Sequence, residues 1–158
     1  MRSASISELK KELQTLPSEK LLEICTRIVK YKKENKELLN YLLFEMQDEE
    51  NFIRNIKSEV ENQFADMNSS TLYFAKKSVR KILRLINKYI KYSDHNTTTV
   101  EVLIHFCQQL NSSGIKFEKS TALLNLYNNQ LKRINKTLAL LHEDLQYDYQ
   151  KELSQIKK

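Results

Sequence analysis

Seven cations and no carboxylate fall within residues 71–92, the strongest chemical pattern in the chain. Lys76, Arg80, Arg84 and Lys88 follow one another at i, i+4 steps, which on a helix places them along one stripe. Lys77, Lys81 and Lys91 flank that stripe, and Tyr73, Tyr89 and Tyr92 lie nearby. A basic helix dotted with aromatic rings can follow a phosphate backbone, so these seven residues form a candidate nucleic-acid-binding surface. The preceding residues, 45–70, hold Glu45, Asp48, Glu49, Glu50, Glu59, Glu61 and Asp66 and carry a net charge of −5. Like charges at i, i+4 repel on an isolated helix, so an acidic segment folded back antiparallel beside the basic one would offset them within the molecule. The sequence favours that internal pairing over an external polyanion.

Catalytic and metal-binding patterns are missing. A carboxylate-bridged dinuclear metal bundle needs Glu-x-x-His, and the residues three before His95, His105 and His142 are Tyr92, Val102 and Ala139. His142-Glu143 is followed by Asp144, Leu145 and Gln146, so the zinc-protease spacing is absent, and two cysteines cannot build a thiolate zinc site. His105 and Cys107 are two residues apart, which on a helix points them away from each other and argues against a nucleophile and base pair. A single glycine rules out phosphate loops and nucleophile elbows. No catalytic residue, cofactor or metal is expected.

The elements that position these groups are helices. One glycine and one proline in 158 residues leave few breaks, and apolar residues recur at the helical period. Ser5 or Ser7 caps a first helix with Leu9, Leu13 and Leu16 on one stripe, and Ser18 caps a second that turns Leu21, Leu22, Cys25, Ile28 and Val29 toward a core. A third segment buries Leu38, Leu39, Leu42, Leu43 and Met46 and continues through Phe52, Ile53, Ile56, Val60 and Phe64, with residues 47–51 as the place where it could bend. Thr71 ends a joint before the basic helix, 72–92, whose inward positions are Ala75, Val79, Ile82, Leu83, Ile86 and Ile90. A helix over 98–110 turns Val102, Leu103, Phe106 and Leu110 inward and stops at Gly114. The final segment, 117–156, reads as helical with candidate breaks at Asn128-Asn129 or Asn135. Its stripe of Leu131, Ile134, Leu138, Leu141 and Leu145 would favour a homodimer or a partner helix if exposed.

The expected fold is therefore all-α, a single domain over 1–158 built as an irregular bundle of about six helices. The joints at Asn68-Ser69-Ser70 and Asn111-Ser112-Ser113 align at an offset of 43 residues. That offset suits an αα superhelix of HEAT-like helix pairs, whose repeats run at about 40 to 47 residues. The N-terminus lacks a secretory core and no window approaches the roughly eighteen apolar residues of a membrane span, so the reading is cytoplasmic, with no membrane partner. Cys25 and Cys107 read as buried, reduced thiols.

The opening, Leu9-Lys10-Lys11-Glu12-Leu13 with Leu16, Glu19, Leu21, Leu22 and Ile24 and then Lys33-Glu34-Asn35-Lys36-Glu37, resembles the start of a bacterial family of helical proteins, the domain of unknown function numbered 6155. The resemblance covers about the first forty residues and implies an all-helical bacterial protein without an assigned activity or catalytic residues. The resulting expectation is a non-enzymatic protein-binding or scaffolding module, with nucleic-acid binding by the basic helix as the alternative.

Overall fold

The computed structural model describes residues 3–156, and among these there are eight α-helices and no strand. The described chain forms two compact units, Met1–Phe44 and Glu45–Lys158.

The N-terminal unit contains α1 (Ile6–Thr15), α2 (Ser18–Tyr31) and α3 (Lys33–Asn40). Ser5 caps α1 in a reciprocal box: its hydroxyl accepts from the Glu8 N–H at 3.3 Å, while the Glu8 carboxylate accepts from the Ser5 N–H at 2.7 Å. The Ser5 N–H and the Ser5 hydroxyl, which donates to the same carboxylate at 2.8 Å, lower the Glu8 pKa. Ser18 is the first residue of α2 rather than its cap, with Pro17 in the N-cap position. The Asn35 side-chain amide donates to the Ile28 carbonyl at 2.8 Å and ties α3 to α2. A π turn, Tyr41–Glu45, follows α3.

Packing in this unit overturns several expectations. No residue of α1, α2 or α3 is buried. Leu9, Leu13, Leu22, Ile28, Leu42 and Leu43 are all exposed, and so is Cys25. Three short helices in a unit this small offer one another little surface to bury against, so amphipathic periodicity is present without the core it normally serves.

The C-terminal unit has the core. It contains α4 (Glu49–Ala65), α5 (Leu72–Ser93), α6 (Asn96–Ser112), a 3-10 turn (Phe117–Lys119), α7 (Thr121–Leu138) and α8 (Glu143–Ile156). The third segment thus does not run continuously: Asp48 stops it and caps α4, its carboxylate accepting from the Asn51 N–H at 3.1 Å. Asp48, Glu49 and Glu50 also suit the positive end of the helix dipole. The final segment divides after Leu138, beyond both expected breaks, because Asn128 and Asn135 are accommodated inside α7. Asn135 donates to the Leu131 carbonyl one turn back at 2.9 Å. These two divisions account for eight helices where about six are expected.

Helix α6 is the centre of this unit and packs against α4, α5, α7 and α8. No residue from 97 to 110 is exposed. Such a helix is apolar nearly all round, which explains the long uncharged stretch in the sequence. No described helix is long and apolar enough to cross a membrane. Helices α4 and α5 form an antiparallel hairpin: Ser93 bonds to Glu49 near one end, and the Tyr89 hydroxyl donates to Glu59 at 2.7 Å further along. By contrast α4 and α6 run parallel, since Lys57 meets Glu101 and Glu61 faces His105, each pair 44 residues apart. Gln108 donates to Glu152 across the α6–α8 boundary at the same 44-residue separation. Gly114 stops the joint after α6 with φ +73°, the left-handed conformation that glycine adopts without strain.

Candidate functional site

The basic helix owes its start to Thr71, whose hydroxyl accepts from the Phe74 N–H at 3.3 Å, and its end to Asp94, which adopts a left-handed φ of 55°. Ala75, Val79, Ile82, Ile86 and Ile90 are buried as their spacing requires, whereas Leu83 is half-buried. With 3.6 residues per turn, the side of α5 opposite that core stripe is the side of the cations. Lys77, Arg80, Lys81, Arg84 and Lys91 are exposed, and Lys76 and Lys88 are half-buried at its margins. The structure therefore brings the seven candidate residues onto one outward face. Of the i, i+4 series only the inner pair, Arg80 and Arg84, is exposed, and the other open members are the flanking Lys77, Lys81 and Lys91. A groove of about 610 Å³ runs along this face, lined by Tyr73, Lys76, Lys77, Arg80 and Arg84 with Leu83 and Asn87.

The acidic segment does fold back beside α5, yet Glu49 and Glu59 meet hydroxyls there and Glu61 turns to α6. Glu49 accepts from the Ser93 and Thr98 hydroxyls, Glu59 accepts from Tyr89, and Glu61 faces His105 at 3.2 Å. Among the described residues Lys76, Lys77, Arg80, Lys81, Arg84 and Lys91 form no ion pair. Lys88 sits 5.1 Å from the centre of the Tyr89 ring.

A second polar cluster lies where α4, α6 and α8 meet. Glu101 accepts from Lys57 Nζ at 2.7 Å and from the Tyr149 hydroxyl at 2.8 Å. Burial and the neighbouring Glu101 carboxylate raise the Tyr149 pKa. One turn along α6, the buried His105 Nε2 makes no hydrogen bond although Glu61 Oε1 is 3.2 Å away. Desolvation lowers the His105 pKa, opposed by the Glu61 charge. No group of three or more His, Cys, Asp or Glu side chains among the described residues is arranged to hold a metal ion. His142 has a local role, its Nδ1 accepting from the Asp144 N–H at 3.4 Å at the start of α8.

Cys107 is buried and its thiol pKa is pushed up to about 12 by desolvation. Cys25 is exposed, contrary to expectation, between Leu22 and Ile28 on the open stripe of α2. Of the apolar stripe expected on the last segment, Ile134 and Leu138 are buried, Leu131 and Leu141 half-buried and Leu145 exposed. Besides Leu72, Tyr73 and Phe74 at the start of α5 and Leu140 after α7, apolar surface is open on α1 and α2, where Ile6 is 86% and Leu22 69% exposed. Sequence reading missed that surface because its signal, an apolar helical stripe, is the same one that marks a core.

Comparison with protein-family models, with curated proteins and with solved structures finds no match.

Proposed function

We propose that this chain is a protein-binding module whose docking surface is the N-terminal unit and whose partner presents an apolar helical stripe of its own. The single observation that carries this reading is that α1, α2 and α3 bury no residue, although Leu9, Leu13, Leu22 and Ile28 recur at helical spacing. Apolar side chains exposed together in this number mark an interaction surface more often than a free one. The C-terminal unit serves as the scaffold. Its parallel α4, α6 and α8, alternating with α5 and α7, support a reading as stacked helix pairs of the HEAT-like kind.

Cys25 supplies the test, being an exposed thiol within the stripe while Cys107 is buried. A photoactivated crosslinker attached to Cys25 of the full chain, irradiated in cell extract, is expected to give a discrete covalent adduct. The paired substitutions Leu22→Asp and Ile28→Asp should abolish it. Adducts that persist unchanged in that variant, or a chain that stays uncrosslinked throughout, would overturn the reading. An adduct of twice the chain mass would identify the partner as a second copy.

A further inference from the structure

We propose that the outward face of α5 binds the phosphate backbone of a single-stranded nucleic acid, independently of the N-terminal docking surface. The face is uniform in charge, because α5 contains no Asp or Glu and buries Ala75, Val79, Ile82, Ile86 and Ile90 on its other side, leaving Leu72, Tyr73 and Phe74 open at its start. Lys77 and Lys91 are fourteen residues apart, so the cations extend along about 21 Å of helix at 1.5 Å per residue. Such a row matches an elongated polyanion better than a compact one. Six of its cations have no carboxylate partner among the described residues, so binding need not first break ion pairs there.

The remaining features select among polyanions. The groove of about 610 Å³ is bordered by Tyr73, a residue that is 65% exposed. An open aromatic ring beside a cationic track is the arrangement on which unpaired bases stack, whereas a duplex keeps its base faces closed. An anionic membrane is a poorer match, because no large apolar side chain from 75 to 91 is exposed for insertion among the cations. An acidic protein is also a poorer match, since the exposed Leu72, Tyr73 and Phe74 lie at one end of the cationic row and not at its centre, where the anchors of most protein interfaces sit.

The test is anisotropy of labelled single-stranded RNA and DNA of mixed sequence, a matching duplex, and phosphatidylserine vesicles, each titrated with the full chain. Single strands are expected to bind, with affinity falling about a hundredfold between about 50 and about 200 mM salt if five phosphates are contacted. Lys77→Gln with Arg80→Gln and Arg84→Gln should remove most of that affinity and flatten the salt dependence. Lys10→Gln with Lys11→Gln and Lys30→Gln removes the same charge from α1 and α2 and should leave binding nearly intact. Tyr73→Ala should weaken single-strand binding roughly tenfold. Equal losses in the two triple variants would reduce the effect to net charge and overturn the proposal. Preference for the duplex, preference for vesicles, or no binding at low salt would also overturn it.

Discussion

Lys57 and Glu101 meet at 2.7 Å across the α4–α6 boundary, 44 residues apart in sequence, and the other oxygen of the same carboxylate accepts from Tyr149 on α8. One side chain thus fixes three helices in register. It does so while 27% exposed, between the regime of a solvated surface pair and that of a buried one.

Removing that carboxylate should cost more than a surface pair does. Glu101→Ala is expected to destabilise the chain by about 2 kcal/mol, because it leaves Lys57 and the Tyr149 hydroxyl without their acceptor. Tyr149→Phe should cost about 1 kcal/mol. Urea unfolding followed by circular dichroism measures both. A cost for Glu101→Ala below about 0.5 kcal/mol would place the cluster with ordinary surface bridges.

Acid should weaken the C-terminal unit through His105. Its folded pKa lies below its ordinary 6.5, chiefly through desolvation, with the charge of Lys57 adding to that shift and Glu61, Glu152 and a hydrogen bond with the Lys57 backbone opposing it. The unfolded chain therefore takes up the proton first, so stability is full above pH 6.5 and falls as the pH drops through that value toward the folded pKa. Comparing urea midpoints above and below that window, His105→Gln should lose less stability than the natural chain. Equal losses would show that other groups set the acid response.

The two thiols should differ sharply in reactivity. Cys25 is exposed, whereas Cys107 is buried with its pKa pushed up to about 12, which leaves almost no thiolate near neutral pH. A chromogenic disulfide reagent should titrate one thiol per native chain and two after denaturation. Rapid reaction of both in the native state would contradict the enclosure of α6.

Two truncations test the contrast between the units. Phe106 is fully buried in α6, so Phe106→Ala should cost about 3 to 5 kcal/mol. Leu22 is 69% exposed, so Leu22→Ala should change stability by less than about 0.5 kcal/mol in the isolated chain. Calorimetric unfolding of the two variants decides the matter, and a large loss at Leu22 would place it in a core.

The contrast also marks how far the sequence could be read. Helical spacing identifies Phe52, Ile56, Val60, Val79, Ile82, Ile86, Leu103, Phe106 and Leu110 as interior, and all nine are buried. Identical spacing at Leu9, Leu13, Leu22 and Ile28 marks residues that stay open. Periodicity reports that a helix can bury a face, while burial depends on neighbours that the rest of the fold supplies. The cations of α5 are legible as one stripe for the same reason. Their separation from Glu49, Glu59 and Glu61 is not, since it depends on which carboxylates meet Ser93, Thr98, Tyr89 and His105 once the helices pack. The π turn at Tyr41–Glu45 carries no pattern in the sequence that would announce it.

The enclosure of α6 extends into the time domain. The middle of a helix packed against four others cannot open by fraying, so the backbone amides from 100 to 110 can meet solvent deuterium only when the whole C-terminal unit comes apart. Helices α1 to α3, with nothing buried, open segment by segment and exchange far sooner. One polypeptide thus keeps two clocks, a slow one set by global unfolding and a fast one that a bound partner would retard.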